Sequence, residues 1–86
     1  MPKYKVLFKR SADRALKKLP QDVQRRIAGE AALLASNPRP AGVVKMAGDE
    51  NLWRIRIGDY RVVYEIDDQQ HVLTVVSVKP RQSAYK

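Results

Sequence analysis

The centre of the chain reads Leu52-Trp53-Arg54-Ile55-Arg56-Ile57-Gly58-Asp59-Tyr60-Arg61-Val62-Val63-Tyr64-Glu65. Two alternating runs flank Gly58-Asp59, and glycine followed by aspartate suits a two-residue hairpin loop with positive φ at its first position. That loop sets Ile57 opposite Tyr60, Arg56 opposite Arg61, Ile55 opposite Val62, Arg54 opposite Val63 and Trp53 opposite Tyr64. Directly paired residues share a face. One face therefore carries Trp53, Ile55, Ile57, Tyr60, Val62 and Tyr64, an apolar surface that must be buried. The other carries Arg54, Arg56 and Arg61.

Like charges paired across strands oppose folding rather than favouring it. Keeping Arg56 opposite Arg61 is explained if an anion is brought between them. A solvated face, with the arginines lying over apolar neighbours or paired with Glu65 and Asp59, is the plainer alternative.

The 86 residues are expected to form one domain over 1–86, with 44% hydrophobic content sufficient for a two-layer core. A domain of this size buries roughly 60–65% of its unfolded surface, so a binding partner can add noticeably to its stability. Without cysteine there are no disulfides or thiolate metal sites, and a single histidine rules out a histidine-based metal centre. No metal or cofactor is expected. No apolar run reaches the length of a membrane span or a signal-peptide core, and the chain reads as cytoplasmic with no membrane partner. Seventeen Lys and Arg against nine Asp and Glu give a net charge of +8, a bias towards polyanions such as nucleic acid.

Upstream, Tyr4, Val6 and Phe8 alternate with Lys5, Leu7 and Lys9 as a first strand. Ser11 stands at an N-cap position before a short helix with the stripe Ala12, Ala15, Leu16 and Leu19. Pro20 ends it. From Gln21 to Ser36, Val23, Ile27, Ala31 and Leu34 mark a longer helix that Asn37-Pro38 stops, and Arg25 and Arg26 read as solvated residues on it. Val43 to Met46 suggests a short strand before the hairpin. After it, a turn at Asp67-Asp68-Gln69-Gln70 would set Ile66 opposite His71, with a third long strand from His71 to Lys79. Simple alternation then puts Leu73, Val75 and Ser77 on the apolar face, and Val72, Thr74 and Val76 on the arginine face, Val76 beside Arg61. The expected fold is α+β: a first strand and a helical hairpin packed on one face of a small antiparallel sheet whose other face is open.

The open face has a chemistry. Guanidiniums match phosphate geometry, stay charged and stabilise charge developing at phosphorus. Arg81, beyond the third strand, adds a fourth, and Tyr85 reads either as a ring for stacking on an unpaired base or as a hydrophobic latch. RNA carries its own nucleophile, the 2′-hydroxyl, so its cleavage needs positioning, charge stabilisation and proton transfer but no metal. The arginines supply the first two. His71, on the apolar face by this register, reads as structural, leaving Tyr85, Glu65 or the substrate's surroundings to move protons. Efficient cleavage of free RNA is not expected.

Leu52 to Asp68 resembles the RelE/ParE-type toxins of bacterial toxin–antitoxin modules. The likeness continues through Val75-Val76-Ser77-Val78-Lys79-Pro80-Arg81-Gln82-Ser83-Ala84-Tyr85 and takes in the Lys17-Lys18-Leu19-Pro20 break and the Asn37-Pro38 stop. The resemblance implies a βααβββ-type fold and a toxin neutralised by a cognate antitoxin, in a possible hetero-oligomer. Its RelE branch cleaves messenger RNA in the A site of the 70S ribosome; its ParE branch poisons DNA gyrase by binding and cleaves nothing. Basic residues where Arg54, Arg56, Arg61 and Arg81 stand, with an aromatic where Tyr85 stands, favour the RelE branch. The resemblance thus implies catalytic roles for Arg56, Arg61, Arg81 and Tyr85 and an RNA-backbone contact by Arg54, while Lys45 and Lys79 are expected from their charge to add sequence-independent RNA contacts. Relatives often carry lysine at the position of Arg54 or Arg56, and histidine where Pro80 stands. These departures imply a slow or strongly ribosome-dependent enzyme, or a member that only binds its antitoxin.

Overall fold

The computed structural model describes residues 3–46, 48 and 51–80. In chain order these form β1 (Lys5–Phe8), α1 (Arg10–Lys17), α2 (Gln21–Leu34), β2 (Val44–Lys45), β3 (Leu52–Ile57), β4 (Tyr60–Asp67) and β5 (Val72–Pro80). The strands make one five-stranded sheet in the order β1-β5-β4-β3-β2.

The central hairpin has the register that alternation predicts, from Ile57 opposite Tyr60 to Trp53 opposite Tyr64. Gly58 opens its loop with φ of 59°, a conformation that favours a residue without Cβ. β2 and the β3–β4–β5 meander are antiparallel as expected. The sheet as a whole is mixed, however, because β1 lies parallel to β5, from Lys5 opposite Val72 to Phe8 opposite Val75. The two helices carry the chain from β1 at one edge to β2 at the other. Alternation reports which side a residue faces, not the direction of its neighbouring strand.

α1 begins at Arg10, with Lys9 at the cap and no side-chain cap, so Ser11 lies within the first turn rather than before it. The departure from β1 sets this start: Lys9 N–H bonds the Val75 carbonyl (2.8 Å), and the Lys9 carbonyl accepts from Asp13 N–H (2.9 Å). Gln24 of α2 donates through Nε2 to the Leu19 carbonyl at 2.7 Å, satisfying one of the backbone groups left by the end of α1.

Ala12 and Leu16 of α1 and Ile27, Ala31 and Leu34 of α2 are buried with Ile57, Val62, Tyr64, Ile66, Leu73, Val75 and Val78 of the sheet. Each large aliphatic side chain so enclosed contributes roughly 1.5–3 kcal/mol of transfer free energy. The core thus lies on one face of the sheet, and among the described residues the opposite face carries no helix.

The β4–β5 half departs from simple alternation twice. Asp67 Oδ1 accepts from the N–H groups of Gln69 (3.1 Å) and Gln70 (3.0 Å), an Asx-type turn. Ile66 consequently pairs with Leu73 rather than His71. His71 belongs to the turn, exposed, with φ of 55° and its ring edge-on to Tyr4 at 5.1 Å. It is neither a strand residue nor a core one. The second departure is a bulge: Tyr64 pairs with Val75 but Val63 with Ser77, leaving Val76 without a partner. Beyond it the faces exchange. Val78, not Ser77, enters the core, and Lys79, not Val76, stands opposite Arg61.

Candidate nucleic-acid interface

The β3–β4 register puts Arg56 beside Arg61, and the bulge puts Lys79 on the far side of Arg61. The three cations cross three strands in one row, spanning roughly 10 Å at the usual strand spacing. Arg54 shares the face two residues back along β3, between Val44 of β2 and Val63 of β4. Arg54 and Arg61 are half-buried, whereas Arg56 and Lys79 are exposed. Arg56 Nε donates to the Gly58 carbonyl at 3.2 Å, which turns the guanidinium towards the hairpin tip. A shallow cleft of about 170 Å³ lies beside the row, lined by Gly42, Val44, Arg54, Ile55, Arg56, Tyr60 and Arg61.

Of the residues singled out in the sequence, the structure therefore gathers Arg54, Arg56, Arg61 and Lys79. Lys45 does not join them: it pairs with Trp53 and so belongs to the opposite side of the sheet. Arg81 and Tyr85 lie outside the described residues. Glu65 sits four positions along β4 from Arg61, roughly 13 Å of strand, too far to serve a phosphate held at the row. His71 lies farther still, at the other end of β5. Among the described residues no group of three or more His, Cys, Asp or Glu could hold a metal ion, and no helix is long and apolar enough to cross a membrane.

Two arginines outside the row shape the opposite ends of the hairpin: Arg26, which reads as solvated in the sequence, and Arg39. Arg26 of α2 lays its guanidinium against the hairpin tip, with Nη1 3.2 Å from where a side chain on Gly58 would begin. Arg39 pairs with Asp68 (Nη2 to Oδ2, 2.8 Å) and lies over the Trp53 ring at 5.0 Å. The Tyr4 hydroxyl donates to the same carboxylate. Tyr64 OH donates to the Pro38 carbonyl at 2.7 Å, so the loop after α2 is held at Pro38 and Arg39 before Gly42 reaches the cleft. Arg39, then Tyr4, hold the Asp68 carboxyl below the usual carboxylate range by hydrogen bonding to its charged form. Burial pushes the Tyr64 phenol up to about 12. No local motif announces these contacts, since Arg39 and Asp68 are 29 residues apart.

Comparison with known proteins agrees with this architecture. Residues 6–85 match the family model for the ParE toxin of the type II toxin–antitoxin system parDE. The chain is 32% identical over 84 residues to a toxin RelE of Mycobacterium tuberculosis, covering 96% of this chain and 87% of that protein. Its fold is similar to the RelE–RelB complex of Pyrococcus horikoshii, with TM-score 0.83, 32% identity, and 92% of this chain and 96% of that one covered. It is similar also to the toxin–antitoxin complex RelBE2 of Mycobacterium tuberculosis, with TM-score 0.82, 28% identity, and 94% and 100% covered. The fold is thus one of a known lineage, and the chain belongs to the RelE/ParE superfamily of toxins from type II toxin–antitoxin modules.

Proposed function

We propose that this toxin is a ribosome-dependent endoribonuclease that cuts messenger RNA in the ribosomal A site. The observation that carries the reading is the row Arg56–Arg61–Lys79 beside Arg54 on a face that no helix covers among the described residues. A phosphodiester on that row has its charge matched by two guanidiniums and an ammonium. The 2′-hydroxyl loses its proton as its oxygen bonds to phosphorus, the bond to the 5′-oxygen breaks, and that oxygen gains a proton, leaving a 2′,3′-cyclic phosphate and a 5′-hydroxyl. Arg56 and Arg61 stabilise the charge that grows on the phosphoryl oxygens. Arg54 and Lys79 hold flanking phosphates. We assign Arg81 to the leaving oxygen and Tyr85 to stacking on or orienting the substrate. Neither Glu65 nor His71 can move the proton at the row, which is why the reading requires the ribosome: the ordered message, rather than a protein base, must supply the reactive geometry.

A cognate antitoxin is the expected protein partner, since the similar structures from Pyrococcus horikoshii and Mycobacterium tuberculosis are toxin–antitoxin complexes. An acidic or amphipathic segment that covers the row would neutralise it. A second reading is favoured by the family model itself, which is that of ParE: inhibition of DNA gyrase by binding, without cleavage.

Expression of the free toxin with primer extension on a translated message separates the two. Cuts that vanish when translation is blocked, and that Arg61→Ala abolishes, are the expected result. Intact messages with growth arrest and a DNA-damage response would sink the nuclease reading and support gyrase.

A further inference from the structure

β3 has one peptide group left open where β2 leaves the sheet. The Leu52 carbonyl accepts from Met46 N–H (2.9 Å) on one side of β3, and the Asn51 carbonyl accepts from Ile66 N–H (3.1 Å) on the other. Peptide groups of successive strand residues point to opposite sides. Leu52, Arg54 and Arg56 therefore turn theirs towards β2, whereas Trp53, Ile55 and Ile57 turn theirs towards β4. β2 spans only Val44–Lys45, and Val44 is opposite Arg54. Gly42 would continue the ladder opposite Arg56, but its φ of 89° bends the chain away, and Val43 N–H bonds back to the Pro40 carbonyl at 3.2 Å. The β2–β3 pairing therefore stops at Arg54, and among the described residues Arg56 has no ladder partner on that side.

Arg56, which carries this open donor–acceptor pair, lines the cleft together with Gly42, Val44, Arg54, Ile55, Tyr60 and Arg61. Val44 is 46% exposed there, a large aliphatic side chain beside the arginines. Cations, an apolar wall, an aromatic residue and one peptide edge are the components that grip a nucleotide. We infer that the cleft is a nucleobase subsite, an inference that rests on the RNA-binding reading above. The arginines take the phosphate, and the attached base lies against Val44 and Tyr60 with its hydrogen-bonding edge on the N–H and C=O of Arg56. A base edge sets a donor beside an acceptor, as the peptide does. An extended peptide would match the same edge, but a single open residue gives it a very short ladder and leaves the guanidiniums without anions.

Nuclear magnetic resonance titration of the free protein tests this with the four nucleoside 5′-monophosphates, ribose 5-phosphate and inorganic phosphate. At least one nucleotide should bind about tenfold more tightly than ribose 5-phosphate, the increment expected from stacking one base. It should shift the amides of Gly42, Val44 and Arg56. In Val44→Trp, which fills the cleft, the ratio should fall towards one. Equal binding of nucleotide and ribose 5-phosphate, or shifts confined to Arg61 and Lys79, overturns the subsite and leaves the phosphate-binding face standing. No binding of any phosphate compound overturns both. A five-residue Val/Glu peptide that shifts Arg56 and Gly42 where no nucleotide does would assign the edge to a protein strand instead.

Discussion

Lys79 stands opposite Arg61 because Val76 drops out of the ladder between β4 and β5. Without that bulge Lys79 would face the helices and Val78 the solvent, and the cationic row would end at Arg61. One inserted residue thus serves the core and the open face together, a use to which bulges are often put near functional sites.

The exchange of faces is testable by paired substitutions. Val78→Ala, which empties a core position, should cost about 2 kcal/mol, whereas Ser77→Ala should stay within about 0.5 kcal/mol of wild type. Urea denaturation of both variants measures this. The opposite ranking would mean that β5 keeps strict alternation through Ser77.

Opposed like charges should make the site stabler when one is removed. Arg56→Gln is expected to raise stability by about 0.5 kcal/mol while abolishing toxicity in a growth assay. Phosphate or sulfate should raise the melting temperature of wild type more than that of the variant. Loss of stability in Arg56→Gln would mean that the guanidinium is held for structure rather than for an anion.

The Asp68 anchor should weaken in acid. Its carboxyl is held below the ordinary value of 3.8, chiefly by Arg39, so the folded state favours the charged form. The contribution is present above that value and is lost as pH falls through the ordinary range into the lowered one. Asp68→Asn should therefore be less stable than wild type at pH 6, with the gap closing as pH falls below the ordinary 3.8. Denaturation midpoints at several pH values read this, and a gap that persists in acid would contradict it.

Tyr64 supplies the alkaline counterpart. With its phenol pushed up to about 12, its contribution is complete below the ordinary value of 10 and is lost as pH rises from there through 12. Tyrosine absorbance titration should show a phenol ionising near 12 that is lost in Tyr64→Phe. That variant leaves the Pro38 carbonyl without its donor and should cost about 1–2 kcal/mol. An unchanged titration would place the late phenol elsewhere.

Period-two alternation around Gly58-Asp59 was enough to place the hairpin, its register, the buried face and the Arg54, Arg56, Arg61 cluster. Those features depend on local turn geometry and on which side of a strand must leave water. The helical stripes were readable for the same reason. The parallel pairing of β1, the displaced register of β5 and the bulge at Val76 were not, because each depends on contacts between segments far apart in the chain. So too with Arg39: its partner Asp68 and its platform Trp53 meet only when the loop after α2 is laid across the sheet edge. Lys45 looked like part of the basic face because charge carries no direction. Only its pairing with Trp53 shows that it points to the other side.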